Sequence, residues 1–251
     1  MRIMFHITGL LFFLVVSGCA SKPERIGVDP KKVSVANTEL GVAYLTKGKY
    51  KVAMSKLKKA LAFDDDNANA HHYIAELYRR LEENKLAEEH FNKALDLTEE
   101  DSSIKNNYGI FLCGTGSYEK GLKLLNEVLE DPLYADKGRA YENMGLCAEK
   151  QGNILNAELY YGTALKFNKR LPSALLGLAQ IEFDKNKIKE ATVYLAGHNK
   201  VARPTSQSLW LELLIARKKG LKGRVGSIAV KLKQYYPSSK EAKLLKKLKL
   251  R

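Results

Sequence analysis

Three cysteines, five histidines and a few closely spaced acids and amides are the residues of this 251-residue chain best suited to chemistry. His72 and Glu76 lie one helical turn apart and could share a metal ion, yet His71, His72 and His90 make no recognised ligand spacing, so a solvated helix face accounts for them better. Asp65-x-Asn67-x-Asn69 with Glu76 imitates a calcium loop without its central glycine, and it runs into the start of a helix. No nucleophile elbow, phosphate loop or paired-carboxylate site occurs in the chain. The expectation is a binding protein with no catalytic residues, metal or cofactor. The cysteines then carry most of the chemical information. Cys19 follows an apolar run, while Cys113 and Cys147 are separated by 34 residues in the interior.

The setting of Cys19 decides the compartment. Arg2 precedes an apolar stretch from Ile3 to Val16, which ends in Val16-Ser17-Gly18-Cys19. Such a run is too short to anchor by spanning a bilayer and reads as a signal peptide over residues 1–18. The small-small-Cys ending resembles the lipobox of bacterial lipoproteins. That resemblance implies that Cys19 is acylated and opens a mature chain of 251 − 18 = 233 residues. Ala20 and Ser21 stand where inner-membrane lipoproteins commonly carry Asp, so by the same analogy the protein faces the periplasm from the outer membrane. Acyl chains hold at about 0.8 kcal/mol per buried methylene, and no further membrane segment is needed. Residues 19–32, with Pro23, Gly27, Pro30 and mixed charges but no periodicity, read as the acylated N-terminus and a flexible tether.

A composition of 45% apolar and 28% charged residues describes a folded protein. The formal charge of +14 could suggest nucleic acid, but the bases are interspersed with acids except in a Lys/Leu tail from Lys240 to Arg251, read as a solvated or membrane-proximal end. With a lipobox in the same chain, nucleic acid is not an expected partner.

From Val33 onward the chain repeats with a period close to 34. Gly41 and Ala75, Ala53 and Ala87, Ala60 and Ala94, and Ala75 and Gly109 are each 34 apart. A two-residue slip at Asp131-Pro132-Leu133-Tyr134 precedes a fourth copy with Gly145, Ala157 and Tyr161. Copies around Ala179 and from Ser206 to Pro237 follow. The pattern resembles the tetratricopeptide repeat, which implies two antiparallel helices per unit, small residues where the helices of a pair approach and large apolar residues between. Gly48, Gly116, Gly152 and Gly220 fall where the first helix of a unit ends, and Pro132, Pro172, Pro204 and Pro237 near the joints. The fold class is therefore all-α, a right-handed α-solenoid of about six repeats over residues 33–237. Residues 238–251 form a basic capping helix that buries Ala242, Leu244, Leu245 and Leu248. The competing reading of that helix is one lying on a membrane surface.

Such a stack usually works through its concave face, lined by the first helix of each unit at about the second, fifth, ninth, twelfth and thirteenth positions. By register these are Val35, Thr38, Val42 and Leu45 in the first unit and Asn69, His72, Glu76, Arg79 and Arg80 in the second. The third supplies Asn106, Ile110 and Cys113, and the fourth Arg139, Glu142, Leu146 and Glu149. An apolar floor followed by amides and paired charges suits an extended or helical segment of another protein. The alternative is that Val35, Val42 and Leu45 simply pack under the tether. Cys113 and Cys147 fall on the first helices of adjacent units, where an oxidising compartment lets them pair; the other reading is two buried free thiols.

A narrower resemblance rests on Asn106-Asn107-Tyr108-Gly109 with Phe111-Leu112-Cys113, on Asp131-Pro132-Leu133-Tyr134, on Ala140-Tyr141-Glu142-Asn143-Met144-Gly145-Leu146-Cys147-Ala148, and on Ser208-Leu209-Trp210-Leu211. With the lipobox and the number of repeats, these resemble the type IV pilus biogenesis/stability family PilW/PilF. The resemblance implies a monomeric outer-membrane pilotin. Its partner would be the secretin subunit of the pilus, held in the groove, with its ring assembled at the membrane that carries the acyl chains. A general periplasmic scaffold for another envelope complex shares the lipobox and repeats and is the alternative. Gly121 departs from the repeat, which prefers Ala there, and the last unit is weak.

Overall fold

The structure, a computed structural model, describes residues 27, 29–98 and 101–248. Cys19 and the apolar run before it lie outside these residues, as does the end of the basic tail. Thirteen α-helices and no strand occur among the described residues. They form six hairpins, α1 (Pro30–Thr46) with α2 (Tyr50–Phe63), α3 (Ala68–Arg80) with α4 (Asn84–Leu97), and α5 (Ser102–Gly114) with α6 (Tyr118–Glu130). The series continues with α7 (Lys137–Gln151) and α8 (Ile154–Phe167), α9 (Pro172–Asp184) and α10 (Ile188–Val201), and α11 (Ser206–Lys218) and α12 (Lys222–Tyr235), ending in a single helix α13 (Lys240–Lys247). The chain is a tetratricopeptide solenoid.

Each hairpin closes for the same local reason. One left-handed residue ends the first helix, supplied by Gly48, Gly116, Gly152 and Gly220 in four units and by Glu82 and Asn186, both at φ 62°, in the other two. Ala53, Ala60, Ala87, Ala94, Ala157, Ala164 and Ala191 are fully buried, which lets neighbouring helices approach closely. The first helix starts earlier than the sequence suggests. Asp29 accepts the Lys31 N–H at 3.0 Å and Pro30 takes the first helical position, so α1 extends a turn into the stretch read as tether.

Apolar clusters join one hairpin to the next. Leu45, Leu57, Ile74 and Leu77 tie the first to the second, and Phe91, Ile104, Tyr108 and Phe111 the second to the third. Tyr161, Leu171, Leu178 and Ile181 tie the fourth to the fifth, and Leu195, Leu211 and Ile215 the fifth to the sixth. The far end is closed by α13, whose Ala242 and Leu245 are buried against Leu209, Leu213, Ile228 and Leu232. No described helix is long and apolar enough to cross a membrane.

Candidate binding groove

The first helices of the units present two kinds of residue by position. The open kind forms a cavity of about 450 Å³ at the N-terminal end, lined by Val35, Thr38, Glu39, Val42 and Ala43 of α1 and by Asn67, Asn69 and Tyr73 at the start of α3. Val35 is 51% exposed, so the tether, where described, does not cover this floor. Its apolar base, rimmed by one carboxylate and two amides, is suited to an apolar helix face or an extended apolar segment with a few hydrogen-bonding groups. Register identifies Val35, Thr38, Val42 and Asn69. It misses Glu39, Ala43 and Tyr73, which lie one residue from a register position, and Asn67, which lies two away.

The other kind corrects the expected lining. Thr38, His72, Asn106 and Glu142, all at the fifth position of their units, are buried and bond to the next unit, although Thr38 also borders the N-terminal cavity and Asn106 one of about 770 Å³ beside Asp131 and Arg139. Thr38 Oγ1 accepts from Asn67 Nδ2 at 3.3 Å, while Asn67 caps α3 by accepting the Ala70 N–H at 2.9 Å. The calcium-loop resemblance therefore breaks at Asn67, whose oxygen is taken by the Ala70 N–H and whose nitrogen donates to Ser34 Oγ at 2.8 Å as well as to Thr38. His72 Nε2 meets Asn107 Nδ2 at 2.9 Å, and Asn106 Oδ1 accepts from Asn143 Nδ2 at 3.0 Å. Glu142 Oε1 accepts the N–H groups of Ser173 and Ala174 at 2.7 and 3.1 Å, so a buried carboxylate serves the positive end of α9. A fifth-position polar contact thus crosses each of the first four joints and fixes the register of those units. Leu45 is also buried, in the first core cluster, and takes no part in an open surface.

Further along, Glu76 is half-buried and holds the exposed Arg79 through both carboxylate oxygens. Ile110 is half-buried near the middle of the stack. Leu146 lines a separate cavity of about 290 Å³ with Glu149, Leu176, Gln180 and Trp210. The groove thus has an apolar N-terminal chamber and a mixed chamber toward the fourth to sixth units. Cys113 and Cys147 are brought together and bonded, with Cα atoms 5.1 Å apart.

The histidines make the N-terminal half sensitive to acid. With Asn107 as donor, His72 is a neutral imidazole bearing its proton on Nδ1, and burial holds its pKa below the usual value despite the Glu76 and Asp101 carboxylates. His71 Nδ1 faces His90 Nδ1 at 2.9 Å, and burial, followed by the His71 charge, lowers His90 as well. Because both folded pKa values are depressed, the unfolded chain binds protons first as pH falls. Stability is full above the unfolded value of about 6.5 and declines below it. Thermal unfolding should therefore drop by several degrees between about pH 7.5 and pH 5.5. His72→Gln, which keeps a partner for Asn107 without titrating, should shrink the drop; an unchanged pH profile in that variant would show that His72 contributes nothing to it.

The tetratricopeptide-repeat family matches this chain at residues 38–102 and again at residues 138–170. The type IV pilus assembly protein PilF of Pseudomonas aeruginosa is 29% identical over 238 residues, covering 92% of this chain and 94% of that one. A solved structure described as a functional characterization of Pseudomonas aeruginosa pilF superposes with a TM-score of 0.73 at 29% identity, covering 88% of this chain and 99% of its own. The crystal structure of PilW, described as a widely conserved type IV pilus biogenesis factor, gives a TM-score of 0.72 at 29% identity over 85% and 98% of the two chains.

Proposed function

We propose that this chain, a tetratricopeptide-repeat protein of the PilF and PilW type, acts in type IV pilus biogenesis as a pilotin. Cys19, acylated, holds it to the periplasmic side of the outer membrane. The groove binds a segment of the pilus secretin subunit and concentrates it where the ring must assemble. The observation that supports this reading most directly is the open apolar chamber of Val35, Val42 and Tyr73. Among the described residues nothing covers it, while the polar residues beside it are engaged in holding the units together.

The same observation selects the test. Leu45 is core and would unfold the first unit if charged, whereas Val35 is half exposed and Val42 lies at the surface of the chamber. Val35→Glu with Val42→Glu should leave the helical circular dichroism intact and reduce secretin co-purified from outer membrane by about tenfold or more, since a carboxylate buried without a partner costs several-fold to a hundredfold in affinity. Secretin multimers and surface pili should fall with it. A folded double variant with normal secretin multimers would remove the secretin from the proposal and leave a scaffold for another envelope complex.

A further inference from the structure

The charge of +14 is not spread along the stack. Residues 185–251 hold 18 Lys and Arg against 3 Asp and Glu, whereas residues 1–184 hold 24 against 25. The whole excess therefore belongs to about the last quarter of the chain, a wider region than the Lys/Leu tail from Lys240.

The structure turns this count into a surface. Arg217, Lys218 and Lys219 at the end of α11, Lys222, Arg224, Lys231 and Lys233 on α12, and Lys240, Lys243, Lys246 and Lys247 on α13 are all exposed. Among the described residues of these three helices, the one ion pair is Arg224 with Glu212 at 2.7 Å. Large apolar side chains stand among the cations, with Val230 62% and Tyr235 64% exposed on α12. The apolar side of α13 is occupied, because Ala242 and Leu245 cap the last cluster, so this helix cannot sink an apolar face into a bilayer. What it offers outward is charge.

Like charges gathered at one end oppose folding by mutual repulsion, so the arrangement does not serve stability. The cations sit on long flexible stems over two helices and a turn, with no shared hydrogen-bonding register that would suit one peptide or one small anion. Lys231 and Lys233 flank the buried Leu232 on opposite sides of α12, and their long stems let both bend toward a broad anionic plane, with the exposed Val230 between them at its headgroup level. We infer that the α12–α13 end lies on an anionic phospholipid surface. Its location at the membrane rests on the acyl anchor of the proposed function, but the contact itself does not. The anchor would fix one end of the solenoid and the basic face the other, which would hold the groove along the membrane instead of letting the stack swing.

Vesicles test this independently of any secretin. The full chain is titrated with phosphatidylcholine vesicles and with vesicles containing about one third phosphatidylglycerol, the neutral set measuring whatever the N-terminal apolar run contributes. At low salt the chain should prefer the anionic vesicles by about a hundredfold, and the preference should vanish near 0.5 M salt, where the Debye length is only about 4 Å. Lys231→Gln, Lys233→Gln, Lys243→Gln and Lys247→Gln together should abolish most of it. Equal binding to both vesicle types would overturn the inference. So would an anionic preference that salt leaves untouched, which reads the parent alone should the variant not fold. A folded variant that keeps the full preference, or tighter binding of the parent to duplex DNA than to anionic vesicles at the same salt, would overturn it too.

Discussion

Gly177→Ala should destabilise the protein by about 2–3 kcal/mol, the opposite of what helix propensity predicts for a glycine inside α9, where alanine would gain about 1 kcal/mol. The reason is Tyr161. Its ring is fully buried and lies between Gly145 of α7 and Gly177 of α9, and a Cβ at either position would overlap it. The ring cannot retreat from one glycine without striking the other. Its hydroxyl is also held, donating to Glu149 Oε2 at 2.6 Å, and burial together with that carboxylate pushes the phenol pKa upward. Gly145→Ala should therefore cost a similar amount, and Tyr161→Ala about 3–5 kcal/mol through the cavity it leaves. The diagnostic measurement is the pair. Combining Gly177→Ala with Tyr161→Leu should recover at least about 1 kcal/mol relative to the sum of the two single changes in urea unfolding. A neutral or stabilising Gly177→Ala would mean that the ring yields and that the wedge does not set the spacing of the fourth and fifth units.

That wedge shows how much of the fold sequence could carry. The 34-residue period gives Gly145 and Tyr161 their places in the fourth copy, but it points to Ala179 in the fifth and not to Gly177, two residues earlier, whose need to be small shows only when the ring is seen against it. Gly121 was the exception, and the structure supplies its reason. The Cys113 sulfur and the Gly109 carbonyl oxygen occupy the space a Cβ would need, at 2.5 and 2.6 Å. A reader of the period sees a departure from alanine; only the joined cysteines explain it. The groove was less legible. Register gives the first helix of each unit but not the tilt between successive units, and the tilt decides whether a residue opens to the groove or is covered by the next unit. At the fifth position it is covered, so Thr38, His72, Asn106 and Glu142, which read as hydrogen-bonding groups for a ligand, hold units together. A signal was present: Asn67, Asn107 and Asn143 recur near the start of the following unit as amides able to answer them.

The joint between the third and fourth units carries a covalent bond as well. The two-residue insertion falls there, and the clusters that tie the first three units and the last three do not cross it. Leu125, Val128, Ala140 and Met144 are buried nearby, and the specific links are the Asn106–Asn143 hydrogen bond and the Cys113–Cys147 bond between α5 and α7, with the Tyr118 hydroxyl donating to the Lys150 carbonyl between α6 and α7. A cross-link over 34 residues removes loop entropy worth about 3–4 kcal/mol. Since a solenoid is stabilised unit by unit through nearest neighbours, that energy acts on one interface. Reduction, or Cys113→Ala with Cys147→Ala, should therefore do more than lower the midpoint by roughly 10 °C. It should split a single thermal transition into two, one for the units before Asp131 and one for those after it. Trp210, the only tryptophan, reports the second half by fluorescence, while circular dichroism reports both. Coincident transitions with and without the bond would show that the apolar contacts at this joint suffice, and that the cysteine pair is not what makes the two halves one cooperative body.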